Sequence, residues 1–131
     1  MSTMNGPGEE RLDQPFTQLV VQFPIRGHGT VEDLDFRHQL EALLDQALRG
    51  AGLGWVDGGD IGSGTINIFA IVEPDAWEQA WAVIRTELAR QEVLHRAVVA
   101  RDARGDDGDE WPVVIWPEDH EHEFRYLDEA Y

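Results

Sequence analysis

The sequence predicts an α+β domain, one antiparallel sheet with two helices on one face. Three observations predict it. Stretches 16–25 and 65–72 alternate apolar and polar residues with the period of half-buried strands. Stretches ending near Arg49 and Arg90 place apolar residues three and four apart, the period of a helix. Glycines concentrated between Gly50 and Gly64 supply turn chemistry between the two kinds of element. A length of 131 residues is that of one domain, which can bury a core without disulfide or metal staples.

In FTQLVVQFPI, Leu19, Val21, Phe23 and Ile25 share one face and Gln18 and Gln22 the other. Pro24 limits the end of this strand or places it at an edge. RGHGT is a turn. Thr30 and Asp33 have capping-box spacing and open a helix to about Arg49, with Leu40, Leu43, Leu44, Ala47 and Leu48 as its core stripe. Gly50 or Gly52 stops it. A short second strand is expected around Leu53–Asp57. Asp57-Gly58-Gly59 suits a turn or bulge, and Gly62-Ser63-Gly64 a hairpin tip.

In the strand Thr65–Val72, Ile66, Ile68 and Ala70 oppose Asn67 and Phe69. Its end, Ile71-Val72, is apolar on both sides, as in a central strand. EPDAWE opens the second helix through a capping box of Asp75 and Glu78, with Trp77, Trp81, Ile84 and Leu88 on one face. His95–Arg101 is a fourth strand, ARGDDGDE an acidic loop, and WPVVIWP a proline-bounded edge strand. Trp111 and Trp116 are five apart, which puts them on opposite faces of a regular strand. Residues 1–15 read as a disordered leader, 16–117 as the domain, and 118–131 as an acidic tail whose Phe124, Tyr126 and Leu127 can dock. The order of elements matches the ferredoxin-like split βαβ plan, with an additional C-terminal edge strand beside the fourth.

Composition excludes several chemistries. There is no cysteine, hence no disulfide, thiol catalysis or cysteine-ligated metal. Neither an apolar signal core nor an apolar run of membrane-spanning length is present, so a soluble cytoplasmic protein is expected. The net charge is −16, which argues against nucleic-acid phosphates and anionic membranes and favours a basic partner. The charge is uneven: residues 102–131 hold eleven acids against Arg104 and Arg125.

The glycine-rich stretch is no phosphate loop. A dinucleotide fingerprint leads from a strand into a helix, whereas GGDIGSG leads into a strand. A Walker loop needs lysine, and the chain has none. Asp57, Asp60 and Glu73 have the residue types for acid–base work or a hard metal, but Asp-Gly pairs more commonly form turns. ARGDDGDE lacks EF-hand spacing, and His120-Glu121-His122 lacks a third ligand. Ser63 lacks a nucleophile elbow. No catalytic residue, cofactor or metal is therefore expected.

The segment Asp57-Gly58-Gly59-Asp60-Ile61-Gly62-Ser63-Gly64, followed by an apolar strand and Pro74-Asp75-Ala76 at a helix start, resembles a group of small uncharacterised bacterial proteins. These carry a D-G-x-[DE]-[IF]-G-x-G segment before a central strand. The resemblance spans roughly residues 17–116 and implies the ferredoxin-like fold; the group has no known activity, so it transfers no catalytic residues.

The expected function is non-enzymatic binding of a basic protein. Asp106, Asp107, Asp109, Glu110, Trp111, Trp116, Glu118 and Asp119 would form the contact surface, acids steering and tryptophans anchoring. In character this is similar to immunity proteins that neutralise toxins. The alternative is a small-molecule sensor or enzyme using a corner of Trp55, Asp57 and Asp60. A minor third is mimicry of nucleic acid by the acids.

Overall fold

The computed structural model describes residues 16–104 and 110–118. Along the chain these form β1 (Thr17–Pro24), α1 (Val31–Ala51), β2 (Gly54–Gly62), β3 (Thr65–Val72), α2 (Trp77–Arg90), β4 (Val98–Arg104) and β5 (Glu110–Trp116). Short 3-10 turns lie at Pro74–Ala76 and Leu94–Arg96. The five strands make one antiparallel sheet in the order β2-β3-β1-β4-β5. The α+β class with two helices is as expected from the sequence. β1 is the middle strand, and Pro24, its last residue, interrupts nothing.

Strand alternation divides the side chains between two faces. Leu19, Val21 and Phe23 of β1 and Ile66, Ile68, Ala70 and Val72 of β3 join a core with Leu40, Leu44 and Leu48 of α1 and Ile84 and Leu88 of α2. Both helices therefore cover the same face. Burying each of these Leu or Ile side chains contributes roughly 1.5–3 kcal/mol, so this face carries most of the stabilisation. On the other face a smaller cluster centres on Val20 and Ala100, with Phe69, Val98 and Val114 against it.

The start of α1 is the expected capping box. Thr30 Oγ1 accepts the Asp33 N–H at 3.1 Å, and Asp33 Oδ2 accepts the Thr30 N–H at 3.0 Å. Gly52 ends the helix in the left-handed conformation. The start of α2 differs from expectation. Pro74 initiates a 3-10 turn that absorbs Asp75, so the helix begins only at Trp77 and no side chain caps it. The fourth strand also starts later than expected, because His95 lies in the second 3-10 turn.

β2 is longer than its sequence suggests, running through the glycines to Gly62. Its register with β3 shifts between Val56 and Gly58, which leaves Asp57 as the extra residue of a bulge. The hairpin then closes through Ser63 (φ 48°) and Gly64 (φ 94°), both left-handed as a two-residue I′ turn requires. β5 pairs β4 as the expected edge hairpin, with an irregularity between Val99 and Ala100. Trp116 pairs with Val99 and Trp111 with Ala103. The predicted leader 1–15 and the tail beyond Glu118 lie outside the described residues.

Candidate functional site

Of the residues expected to meet a protein partner, Asp106, Asp107, Asp109 and Asp119 lie outside the described residues. Glu110 and Trp111 open β5, opposite Arg104 and Ala103. Glu118 is exposed just past the strand. Trp116 is half-buried and engaged within the chain. Its ring centroid lies 6.1 Å from that of Trp81, and its Nε1 donates to the Leu94 carbonyl at 3.2 Å. The Arg85 guanidinium sits 4.5 Å from the Trp116 ring centroid. Nearby, Arg101 lies 4.6 Å from the Trp77 ring centroid. Aromatic–arginine pairs thus finish this end of the molecule.

The expected corner of Trp55, Asp57 and Asp60 is not one site. Trp55 lies opposite Ile71 and Asp60 opposite Asn67, so about 13 Å of strand separates them at roughly 3.3 Å per residue. Asp57 is exposed at the bulge between them. Asp60 belongs instead to a polar ladder across three strands. Gln22 Nε2 donates to Asn67 Oδ1 at 2.9 Å, and Asn67 Nδ2 donates to Asp60 Oδ1 at 3.0 Å. Asn67 has no exposed area, so the ladder satisfies an amide that would otherwise be costly to bury.

The helix side of the same strand is just as tightly specified. Gly59 lies beneath Glu41 of α1, and a Cβ there would meet Glu41 Oε2 and the Asn67 carbonyl. Glu41 Oε2 lies 3.3 Å from Arg37 Nε, an ionic contact without hydrogen-bond alignment. The glycine is a close-approach position rather than a ligand loop.

Trp55 does line a cleft, at the other end of β2. Its ring meets Phe16 edge-on, with centroids 5.6 Å apart and planes at 68°. The space beside them, about 330 Å³, is bounded by Arg49, Glu73 and the segment Gly52–Gly54. Three elements converge there: the chain entering β1, the α1–β2 connection and the end of β3.

Arg49 is held by Asp45, one helical turn earlier. Its Nε donates to both Asp45 oxygens at 2.9 Å. Asp45 Oδ1 also accepts the Val56 N–H at 2.9 Å, tying α1 to β2 just before the bulge. The Val56 hydrogen bond, with help from Arg49 and against the effect of burial, holds the Asp45 carboxyl below its ordinary value of 3.8. Glu73 is exposed, and its carboxylate has no hydrogen-bond or ion-pair partner among the described residues.

Phe16, Asp45 and Arg49 were missed by sequence reasoning. The Asp45–Arg49 pair has a legible four-residue helical spacing, but nothing in the sequence brings it to Phe16 or Glu73. Among the described residues, no group of three or more His, Asp or Glu is placed to hold a metal ion. None of the described helices is long and apolar enough to cross a membrane. No family model, curated protein or solved structure matches the chain.

Proposed function

We propose that the chain is a non-enzymatic binding protein that engages a basic protein partner through its acidic C-terminal region, in the manner of an immunity protein that neutralises a toxin. The observation that carries this reading is the charge distribution. The chain has 26 acids against ten arginines, and eleven of the acids fall in residues 102–131. That region begins in β4 and includes β5, one of the two edge strands, so its described part sits at one edge of the sheet. An acidic edge steers a basic protein and speeds its encounter, and salt weakens that effect. Because Trp116 is engaged by Trp81, Arg85 and Leu94, the contact at this edge would be carried by Asp106, Asp107, Asp109, Glu110, Glu118 and Asp119, with Trp111 as the aromatic anchor.

The same reading takes β2-β3-β1-β4 with its two helices as a ferredoxin-like split βαβ unit, extended by β5. The interleaving of β3 between β2 and β1, and the packing of both helices on one face, support it.

The test is affinity capture from the source cells at low and high salt. The bait is the wild-type chain and a variant with Asp106, Asp107, Asp109 and Glu110 changed to Asn or Gln. Recovery of one lysine- or arginine-rich protein by the wild type at low salt, lost in the variant, supports the reading. Equal recovery by both baits overturns it.

The second reading, a small-molecule site, loses the Trp55–Asp57–Asp60 corner and gains the cleft at Trp55. Its specific support is the aromatic pair beside the cleft, with two charged neighbours.

A further inference from the structure

We propose that the cleft between Phe16, Trp55 and Glu73 receives a guanidinium group, and that it anchors an arginine side chain of the basic partner. The inference rests on the reading that the partner is basic.

Two aromatic rings meet at the cleft, and one of them, Phe16, is among the few large apolar side chains of the described residues with substantial exposure, at 40%. A ring face attracts a cation through its quadrupole, most effectively where water is partly excluded. Glu73 supplies a carboxylate at the same opening that no other described group satisfies. A carboxylate pairs with guanidinium in a forked, charge-assisted geometry.

Arg49 also lines the cleft, and alone it would repel a cation. That repulsion is partly offset, because both Asp45 oxygens accept from its Nε at 2.9 Å. Arg49 is thus already engaged by Asp45, and Glu73 is the charged group of the lining left without a partner among the described residues. The size fits the same occupant. About 330 Å³ lies at the low end of ligand pockets, roughly 300–1,000 Å³, and suits one side chain better than a large cofactor. Guanidinium is preferred over ammonium because it is planar, weakly hydrated and stacks on rings.

The same chemistry could come from a free guanidine or from an arginine in a protein, and the experiment separates them. The full-length chain is titrated with four probes while the Trp55 indole resonance is followed. The probes are N-acetyl-arginine amide, its neutral citrulline analogue, ethylguanidinium, and N-acetyl-glutamate amide. Saturable binding of the arginine probe, tighter than ethylguanidinium and at least about tenfold tighter than citrulline, is expected. Glu73→Gln, an exposed change whose folding is checked by its melting curve, should weaken the arginine probe by about tenfold, and Phe16→Ala by several-fold. Equal binding of arginine and citrulline, preference for the glutamate probe, tighter binding of ethylguanidinium, or an unchanged Glu73→Gln each overturns the proposal. Protein capture that survives Glu73→Gln while the arginine probe fails to bind would sink this inference and leave the acidic-edge reading standing.

Discussion

β2 and β5 are both edge strands, and they are finished by opposite means. β2 is rich in glycine, carries a bulge at Asp57 and lets α1 come close enough for Glu41 to cover Gly59. Its polar groups are tied by carboxylates: Asp45 to the Val56 N–H, and Asp60 to the Asn67 amide. β5 instead ends on Trp116, which packs on Trp81 and is capped by Arg85. Glycine removes side chains so that neighbouring backbone and carboxylates can approach; tryptophan fills space and consumes its own polar atom on Leu94. The lesson concerns function. Of the aromatic anchors expected at the β5 edge, Trp116 is already used internally, whereas the β2 end retains a cleft with exposed Phe16 and a Glu73 without a partner among the described residues.

The contrast can be broken most strongly at Trp116. Trp116→Ala should lower stability by about 3 kcal/mol, measured by urea unfolding. A loss below about 0.5 kcal/mol would mean that the ring is dispensable to the fold and available to a partner. Gly59→Val should cost about 2 kcal/mol, since the new side chain must displace Glu41 or the Asn67 carbonyl. A neutral effect there would remove the close-approach explanation of the glycine.

Asp45→Asn should cost about 1 kcal/mol near neutral pH through the weakened contacts to Val56 and Arg49. The sign of its pH dependence follows from the lowered folded-state value. Asp45 adds stability above its unfolded value of 3.8, and that contribution disappears as pH falls through the lower folded value. Denaturant curves across the acid range should therefore fall less steeply for Asp45→Asn than for the wild type. Parallel curves would show that Asp45 does not link α1 to β2. The smallest effect, about 0.5 kcal/mol, is expected for Arg85→Ala, because its cation–π contact is partly solvated. A change several times larger would assign Arg85 a packing role beyond covering Trp116.

Much of the fold is legible locally. Thr30 and Asp33 announce α1 by spacing alone, and Ser63-Gly64 announces its turn by chemistry. The alternation of Leu19, Val21 and Phe23 sets the buried face of β1. β2 was underestimated because Gly58 and Gly59 carry no side chains and so show no alternation, although their backbones pair with β3. The cap of α2 was misplaced because Pro74 favours a 3-10 turn before the helix, a competition that a three-residue spacing does not reveal. An irregularity in the β4–β5 pairing, between Val99 and Ala100, is likewise invisible in the sequence. For the site, Trp55 was visible as an aromatic beside glycines. Its grouping with Asp60 followed nearness in sequence, whereas the extended strand separates them. Phe16 and Glu73 meet Trp55 only through tertiary pairing, which one sequence does not encode in any local pattern.

The most direct measurement is a titration of the isotope-labelled full-length chain with a capped oligo-arginine peptide at low salt, followed by chemical-shift changes residue by residue. Specific recognition requires saturable shifts at Phe16, Trp55 and Glu73 and along β4–β5, weakening as salt is added. The exposed acids Glu32 and Asp35 of α1 should stay still. Shifts of equal size at Glu32 and Asp35, or none at the cleft and the β5 edge, would show that the acidity of this chain serves no localised binding surface.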